Sequence, residues 1–376
     1  MQTLDYAIPG TRPTQPGWVT FVPPLAVLML ALLMHYCVPF LGAYAERIMT
    51  DMAIAMIAAM SLTIVNGFTG QFSIGHAAFM ALGGYTAAWC SYYFCLRYWG
   101  QTAVVPGTLF GTHQLILLCC ALIGGAVAAG AGWVVGLPSL RLRGDYLAIV
   151  TLGFGEILRV LFQQTNSQAL SKPELANRPL FGSDPTNPGW VFPPGVGGSL
   201  GFTDIPKSTN LFLCYLLVGL TFLFAYRLKF SSLGRALLSI REDEIAAEAM
   251  GVNVTRLKVR AFMFAAFFAG IAGTLYAHQS GTTLRPIDSG FIRSFDIVIM
   301  VVLGGLGSIS GALLAAVIIT GVTAALLGLT DYGLLPYRMP VFALVLILMM
   351  IFRPKGLFGV HEIWDYLPQF GRKGAK

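Results

Sequence analysis

The sequence predicts an all-α polytopic membrane protein with about ten transmembrane segments, including a broken, Gly-rich hairpin. Of its 376 residues, 56% are apolar and 11% are charged, with a mean hydropathy of +0.71. Soluble domains carry charge on about a quarter of their residues. Charges are also missing from one run of about twenty residues after another, and this length is needed to cross about 30 Å of hydrocarbon. The 43 glycines fit close packing between membrane helices.

The predicted spans follow these apolar runs in order along the chain. They are residues 24–42, 47–66, 74–96, 114–137, 146–163, 211–226, 261–279, 295–303, 308–327 and 339–352. The first is interpreted as a retained span and not as a signal peptide, because it is long and only one basic residue, Arg12, precedes it. The stretch 295–327 is too long for one span and LGGLGSISG interrupts it, so two half-spans forming a hairpin are predicted there.

Loop charge predicts the orientation of the chain in the membrane. Lys and Arg are concentrated in three segments, with seven in 227–260, five in the tail 353–376 and two in the loop 138–144. Loops rich in Lys and Arg stay in the cytoplasm, so these segments and the N-terminus are predicted to be cytoplasmic, and the loop 164–210 to lie outside. The whole chain is interpreted as a single transmembrane domain whose spans occupy 24–352.

One densely charged stretch, GRALLSIREDEIAAEAMG at 234–251, is predicted to form a single amphipathic helix that ends at Gly251. A short helix of this kind either docks in a groove on a partner protein or lies as a solvated connector along the membrane. Its two faces comprise the apolar residues Ala236, Leu237, Ile240, Ile245, Ala246 and Ala249 and the water-exposed residues Arg241, Glu242, Asp243 and Glu248. No GxxxxGK[ST] sequence occurs in the chain, so an ATPase that drives it would be a separate polypeptide.

Two Gly-rich breaks form a weak internal sequence repeat. Both follow the spacing Gly-x-x-Gly-x-x-Ser, with Gly67, Gly70 and Ser73 in the first and Gly304, Gly307 and Ser310 in the second. Transporters often build their pathway from broken helices in two related halves, although such a match can arise by chance in a Gly-rich chain. Together with Gly75 and Gly305, these residues are candidates for close packing or for lining a pathway.

A few polar residues fall within predicted spans. Glu156 and Arg159 have the i,i+3 spacing of a helical ion pair, and a structural pair or cap is preferred over a role in the pathway because unpaired charge in a membrane is costly. His76 is predicted to hydrogen-bond a neighbouring helix. Ser73, three residues earlier, leaves open an intramembrane hydrolase that uses Ser73 and His76, but no orienting carboxylate is evident nearby.

Other classes of function find little support in the composition. The six cysteines lie in or beside apolar runs without metal-ligand spacing, so neither a disulfide nor a metal site is predicted. The net charge of +7 is not arranged as a basic stripe with interleaved aromatic residues, and nucleic-acid binding is therefore not predicted. No cofactor is expected. A secondary transporter or a channel is a further alternative for the function of the chain.

Six stretches carry a resemblance to a known family. They are NGFTGQFSIGHAAFMALGGY (66–85), LRLRGDYLAIVTLGFGEILR (140–159), LGRALLSIREDEIAAEAMGVN (233–253), AFFAGIAGTLYAH (266–278), VVLGGLGSISG (301–311) and FRPKGLFG (352–359). With these stretches the chain resembles the LivM-type permeases of branched-chain amino acid ABC importers. The resemblance implies the permease fold of a type II ABC importer and uptake of branched-chain amino acids, while related permeases carry urea or other small amides.

The resemblance also implies how the protein works with partners. It implies that 234–251 docks on the ATPase, with candidate residues Arg235, Ile240, Glu244, Ala246, Ala247 and Gly251. The family's EAAxxxG motif is present with Ile245 at the Glu position and Glu244 one residue earlier, which leaves open which acidic residue faces the ATPase. The implied partners are two ATP-binding subunits, which would hold the ATP, a second, LivH-like permease and an extracytoplasmic substrate-binding protein, in and around a bacterial inner membrane. The chain itself is predicted to be a transport subunit and not an enzyme.

Overall fold

The described part of the protein is helical. The structure, a computed structural model, describes residues 22–99, 111–139, 146–165, 196–203, 205–279 and 283–328, with positions 344, 347, 351, 356–359, 362 and 363. Among these residues, the β-type pairing consists of one isolated antiparallel bridge between Phe202 and Leu284. The α-helices are α1 (Val22–Cys37), α2 (Ala43–Leu62), α3 (His76–Trp99), α4 (Thr112–Ser139), α5 (Tyr146–Gln163), α6 (Leu211–Phe230), α7 (Ser232–Glu242), α8 (Glu244–Ala249), α9 (Val254–Ala277), α10 (Phe291–Gly304) and α11 (Ile309–Gly328).

Several of these helices are long and apolar enough to cross a membrane. Among the described residues there are five, namely Ala43–Gly67, Thr112–Leu137, Tyr146–Gln163, Leu211–Phe230 and Val254–Ala277. Shorter apolar stretches occupy Leu25–Phe40 and Ile309–Ala325. These helices agree with a polytopic membrane protein. The total of about ten spans stays a prediction, because the span 339–352, most of the loop 164–210 and most of the tail lie outside the described residues.

The region of the predicted hairpin contains two helices and a short break. α10 ends at Gly304, and α11 begins at Ile309. The two helices approach closely beside the break, where a Cβ added to Gly311 would lie 2.2 Å from the carbonyl oxygen of Gly304. Their arrangement in the membrane as half-spans stays a prediction.

The prediction of one continuous helix over 234–251 is wrong, because this segment forms α7 and α8. Asp243 separates them with an extended backbone, φ −155° and ψ 112°. Its Oδ1 accepts hydrogen bonds from the backbone N–H groups of Ile245 and Ala246 at 2.9 and 3.0 Å. Aspartate is favoured at the N-cap position because its short carboxylate accepts hydrogen bonds from N–H groups that have no partner within the helix. The side chains of α7 and α8 therefore point in directions that a single continuous helix over 234–251 would not give.

The predicted helix end at Gly251 is confirmed. Gly251 has φ +83°, in the left-handed region that glycine adopts at little cost. The N–H of Val252 donates to the carbonyl oxygen of Ala247 at 3.1 Å, and that of Gly251 donates to Glu248 at 2.9 Å. These two hydrogen bonds form a Schellman motif, which closes the last turn of α8.

The bundle is packed most closely where glycines of α3, α4 and α9 meet. A Cβ added to Gly83 would lie 2.3 Å from Cα of Gly270, and one added to Gly124 would lie 2.6 Å from the carbonyl oxygen of Gly83. Small residues let helix backbones approach in this way and gain van der Waals contact without a hydrophobic driving force. α2 and α9 lie mainly inside the bundle, whereas much of α4 and α5 faces outward.

The helix ends fall on two sides of the bundle. On one side the end of α2, the end of α6 and the break between α10 and α11 come together, and we call this side the break end. On the opposite side, Tyr44 at the start of α2 donates to the carbonyl oxygen of Ala324 near the end of α11 at 3.0 Å. The short helices α7 and α8 pack at the break end.

Candidate functional site

Arg241 joins the 234–251 segment to both Gly-rich breaks. Its Nη1 donates to the carbonyl oxygen of Gly67 at 2.8 Å and to that of Leu306 at 3.3 Å. Arg241, which was predicted to stay in water, is half-buried and also makes these two backbone contacts. A guanidinium carries five N–H donors in a planar fork, so one arginine can serve carbonyl groups from two separate breaks.

The two breaks also touch each other at glycines. A Cβ added to Gly67 would lie 2.8 Å from the backbone nitrogen of Gly307. Gly307 has φ +104° and Gly70 has φ +70°, and a Cβ on either would lie within 3.0 Å of the Arg241 side chain. Three of the predicted glycines thus meet around one arginine, where a larger side chain would separate the backbones.

Lys229, in the last turn of α6, anchors part of the C-terminal tail to the same break. Its Nζ donates to the carbonyl oxygen of Gly307 at 2.8 Å and to Oε1 of Glu362. Both side chains of this ion pair are buried. Gly305, at φ +109°, packs on the tail as well, because a Cβ there would lie 2.7 Å from the backbone nitrogen of Gly359. We call Gly67, Lys229, Arg241, Gly307 and Glu362 the break junction.

Glu362 caps the beginning of α11. Its carboxylate accepts hydrogen bonds from the backbone N–H groups of Ile309 and Ser310 at 3.1 and 2.9 Å. Burial acts to raise the pKa of Glu362, but the charge of Lys229 and the hydrogen bonds from Lys229 and Ser310 outweigh it and lower the pKa below its usual value. Glu362 is therefore ionised at neutral pH, when it can hold both the lysine and the helix end.

Two residues predicted to face a partner are instead packed inside this chain. Ile240 and Ala247 are each 4% exposed and contact Val254 at the start of α9. Glu244, a candidate for facing the ATPase, forms an ion pair with the buried Nζ of Lys258 at 2.7 Å. The break at Asp243 turns α8 back against α9, and this turn removes Ile240 and Ala247 from the surface.

An exposed apolar surface remains on α8, and we call it the α8 face. Ile245 is 68% exposed and Met250 is 84% exposed. Ala246, Ala249 and the charged Glu248 are exposed beside them. Exposed apolar surface of this kind marks a contact with either a protein or a membrane. Arg235 is exposed on α7, where its Nη1 donates to the carbonyl oxygen of Phe230 at 3.3 Å.

Ser73 and His76 do not form a hydrogen bond with each other. His76 Nε2 lies 2.7 Å from Oγ of Ser61 on α2, and we place the proton on Nε2 because Ser61 donates to the carbonyl oxygen of Ala58. Ser73 Oγ is buried without a hydrogen-bond partner among the described residues. No described carboxylate binds His76, so this geometry fits the predicted helix contact and lacks the arrangement of a hydrolase.

Residues of α5 hold the first break and the start of α10. A Cβ added to Gly75 would lie 2.0 Å from the carbonyl oxygen of Thr151. Arg159 Nε lies 2.6 Å from Glu156 Oε2, which confirms the predicted pair. Glu156 Oε1 also accepts from the backbone N–H of Phe291 at 3.3 Å, so the carboxylate caps α10. This favours the structural interpretation of the pair over a role in a pathway.

Sequence reasoning missed Lys229 and Glu362 as partners, because 133 residues separate them. It also missed a polar cluster at the opposite end, where Gln279 Nε2 donates to Oδ1 of Asp51 at 3.0 Å and the Arg293 guanidinium lies 5.4 Å from the centre of the Tyr276 ring. The described residues hold no cluster of His, Cys, Asp and Glu that could bind a metal ion.

Comparison with known proteins identifies relatives over most of the chain. A family described as "Branched-chain amino acid transport system / permease component" matches residues 44–353. The high-affinity branched-chain amino acid transport system permease protein LivM of Salmonella typhimurium is 34% identical over 342 residues, covering 88% of this chain and 74% of the relative. LivM of Escherichia coli K12 is 35% identical over 315 residues, covering 81% and 67%. LivH of Salmonella typhimurium is 25% identical over 307 residues, covering 81% and 91%. No solved structure matches the chain.

Proposed function

Because the chain belongs to the family of branched-chain amino acid transport permease components, we propose that it is the permease subunit of an ATP-driven importer and provides the pathway for branched-chain amino acids. The relatives LivM and LivH are named as permeases for these substrates, which supports the substrate class. The observation that carries the coupling is Arg241, whose side chain runs from the 234–251 segment to both helix breaks.

A short chain of contacts links the α8 face to the breaks. α8 packs on α7 and α9 through Ile240, Ala247 and Val254, and α7 carries Arg241. A partner that shifts α8 on binding or releasing nucleotide would therefore move Arg241 against Gly67 and Leu306. Coupling of this kind requires two conformations of the permease that the nucleotide state of the partner favours differently. Glycine-rich breaks suit such a change because their backbones adopt several conformations at little cost.

The complete importer requires further subunits. Two ATP-binding subunits would dock at the break end, one of them on the α8 face, and ATP would bind to them. A second, LivH-like permease would share the pathway, and an extracytoplasmic protein would deliver the substrate. The outward apolar surfaces of α4 and α5 support insertion among lipids and other subunits of a bacterial inner membrane.

Docking is tested by placing a charge on the α8 face with Met250→Arg. We expect the ATP-binding subunits to stop co-purifying with the permease, because an unpaired guanidinium in a fitted interface costs several kcal/mol and each 1.4 kcal/mol weakens binding about tenfold. Ala247 is not a suitable position for this test, because it is buried inside the chain. The matched control is Leu200→Arg, since Leu200 is 75% exposed and lies in the loop predicted to be extracytoplasmic. Undiminished recovery of the ATP-binding subunits with Met250→Arg would contradict docking on this face.

Transmission of a shift in α8 to the helix breaks is tested separately with Arg241→Gln. This variant removes the side-chain contacts to the breaks and leaves the α8 face in place. We expect this variant to retain the ATP-binding subunits and to lose most uptake of labelled leucine in reconstituted vesicles. Arg227→Gln, which removes an exposed charge from α6, should retain uptake. Wild-type uptake by Arg241→Gln would remove Arg241 from the coupling route.

A further inference from the structure

An open groove lies between the end of α4 and the beginning of α9, beside the 234–251 segment. Its volume is about 400 Å³. Its wall is apolar at Trp133 and Leu137 of α4 and at Val259 and Met263 of α9, and basic at Arg256 and Arg260 of α9; the polar residues Asn253 and Thr255 line the rest.

The two arginines give this groove a positive charge that no described residue neutralises. Arg256 and Arg260 are one turn apart on α9, so their side chains leave the helix on the same face. Both are exposed, and neither guanidinium forms an ion pair or hydrogen bond with another described residue. Lys258, between them in sequence, is buried and paired with Glu244. The groove therefore combines two accessible guanidinium groups with an apolar wall.

The apolar wall continues into the outward surface of α4. Ile123, Val127 and Val134 are exposed along this helix, which is long and apolar enough to cross a membrane. Trp133 lies towards the end of the apolar stretch, and tryptophan is enriched where hydrocarbon meets lipid headgroups. A ligand of the groove would thus contact the arginines and the bilayer surface together.

We propose that this groove binds an anionic phospholipid. The guanidinium groups of Arg256 and Arg260 hold the phosphodiester through charge-assisted hydrogen bonds, and the acyl chains lie along Trp133 and the exposed face of α4. Basic pockets between membrane helices on the cytoplasmic side suit such headgroups. A soluble phosphate would contact the arginines alone and leave the apolar wall uncovered. The site depends on insertion of the chain in a membrane and is independent of coupling to an ATPase.

The test is a lipid titration of the full chain purified in neutral detergent, with the midpoint of thermal unfolding as the readout. We expect phosphatidylglycerol to raise the midpoint more than phosphatidylcholine does. The double variant Arg256→Gln/Arg260→Gln should bind phosphatidylglycerol about thirtyfold more weakly, because each basic residue beside an anionic lipid contributes about fivefold. Trp133→Ala should also weaken binding, since it removes part of the apolar wall while leaving both charges.

Controls separate this site from general attraction between a basic protein and acidic lipid. Arg227→Gln removes an exposed charge from another helix and should keep the wild-type affinity for phosphatidylglycerol. Inorganic phosphate and glycerophosphate should not reproduce the stabilisation. An equal response to both lipids in the wild type, an unchanged affinity in the double variant, or full stabilisation by free phosphate would each overturn the proposal. Loss of the response on adding the partner subunits, with no lipid retained in the complex, would assign the groove to a protein instead.

Discussion

Arg241 and Glu362 act through backbone atoms that lie far away in the sequence. Arg241 binds carbonyl oxygens of two helix breaks, and Glu362 binds N–H groups at the beginning of α11 and the ammonium of Lys229. Both residues are charged and partly or fully withdrawn from water. Such groups stabilise a fold when their hydrogen bonds are complete, and they destabilise it strongly when one partner is removed.

The carboxylate of Glu362 should make stability depend on pH. Because its pKa is lower in the folded protein than its usual value of 4.5, the stabilisation is fully present above about pH 4.5 and is lost as pH falls through the folded pKa. Glu362→Gln should therefore destabilise the chain at neutral pH by about 3 kcal/mol, by leaving Lys229 without its counter-charge. The difference between wild type and variant should shrink as pH falls below about 4.5. Thermal unfolding in detergent measures both effects.

The control for this prediction is Glu248→Gln, which removes a carboxylate that is exposed on α8. Its stability should follow the wild-type pH dependence closely, since exposed charges contribute roughly 0–1 kcal/mol. A gap between wild type and Glu362→Gln that stays constant from pH 7 to pH 4 would contradict an ionised, stabilising Glu362.

At the scale of elements, the glycines of α3, α4 and α9 set how closely these helices pack. Gly124→Val should destabilise the bundle by about 1–3 kcal/mol or more, because its Cβ would lie 2.6 Å from the carbonyl oxygen of Gly83. Gly130→Val, on the same helix, is the matched control, since a Cβ at Gly130 meets no atom within 4 Å. The unfolding midpoints of the two variants in detergent check this prediction, and equal midpoints would contradict close packing at Gly124.

The short helices α7 and α8 show why the amphipathic pattern of 234–251 did not predict which of its apolar residues are exposed. The pattern placed Ile240 with Ile245 on one apolar face, and the family resemblance added Ala247 as a residue that faces the ATPase, but the cap at Asp243 divides the segment. Ile240 and Ala247 then pack on α9, and Ile245 stays exposed. A pattern identifies which side chains are apolar, whereas the turn between elements decides which of them face outward.

At the scale of the whole molecule, the predicted orientation of the chain across the membrane can be tested directly. In a chain whose native cysteines are replaced, an impermeant maleimide added to intact cells should label Leu200→Cys and not Met250→Cys. Both positions are highly exposed in the chain, at 75% and 84%. The cells express the permease without its ATP-binding subunits, so that Met250 is not covered and a difference in labelling reports the side of the membrane. Both should react once the cells are dissolved in detergent. Labelling of Met250→Cys from outside would reverse the predicted orientation.

The sequence by itself determined the class of the protein, the positions of most long helices, the helix end at Gly251 and the pair of Glu156 and Arg159. These features depend on neighbouring residues, because hydropathy, i,i+3 spacing and the special backbone freedom of glycine act within one or two turns of a helix. The spacing Gly-x-x-Gly-x-x-Ser also indicated both breaks, but not that they touch.

Only the tertiary structure decided which distant residues share a site. It placed Arg241 on Gly67 and Leu306, Lys229 on Glu362, and His76 on Ser61 in place of Ser73. These contacts join residues from 15 to 174 positions apart, and no local pattern selects one such partner over another. The selection comes from packing, since glycine contacts bring the helix breaks close enough for one arginine to bind both.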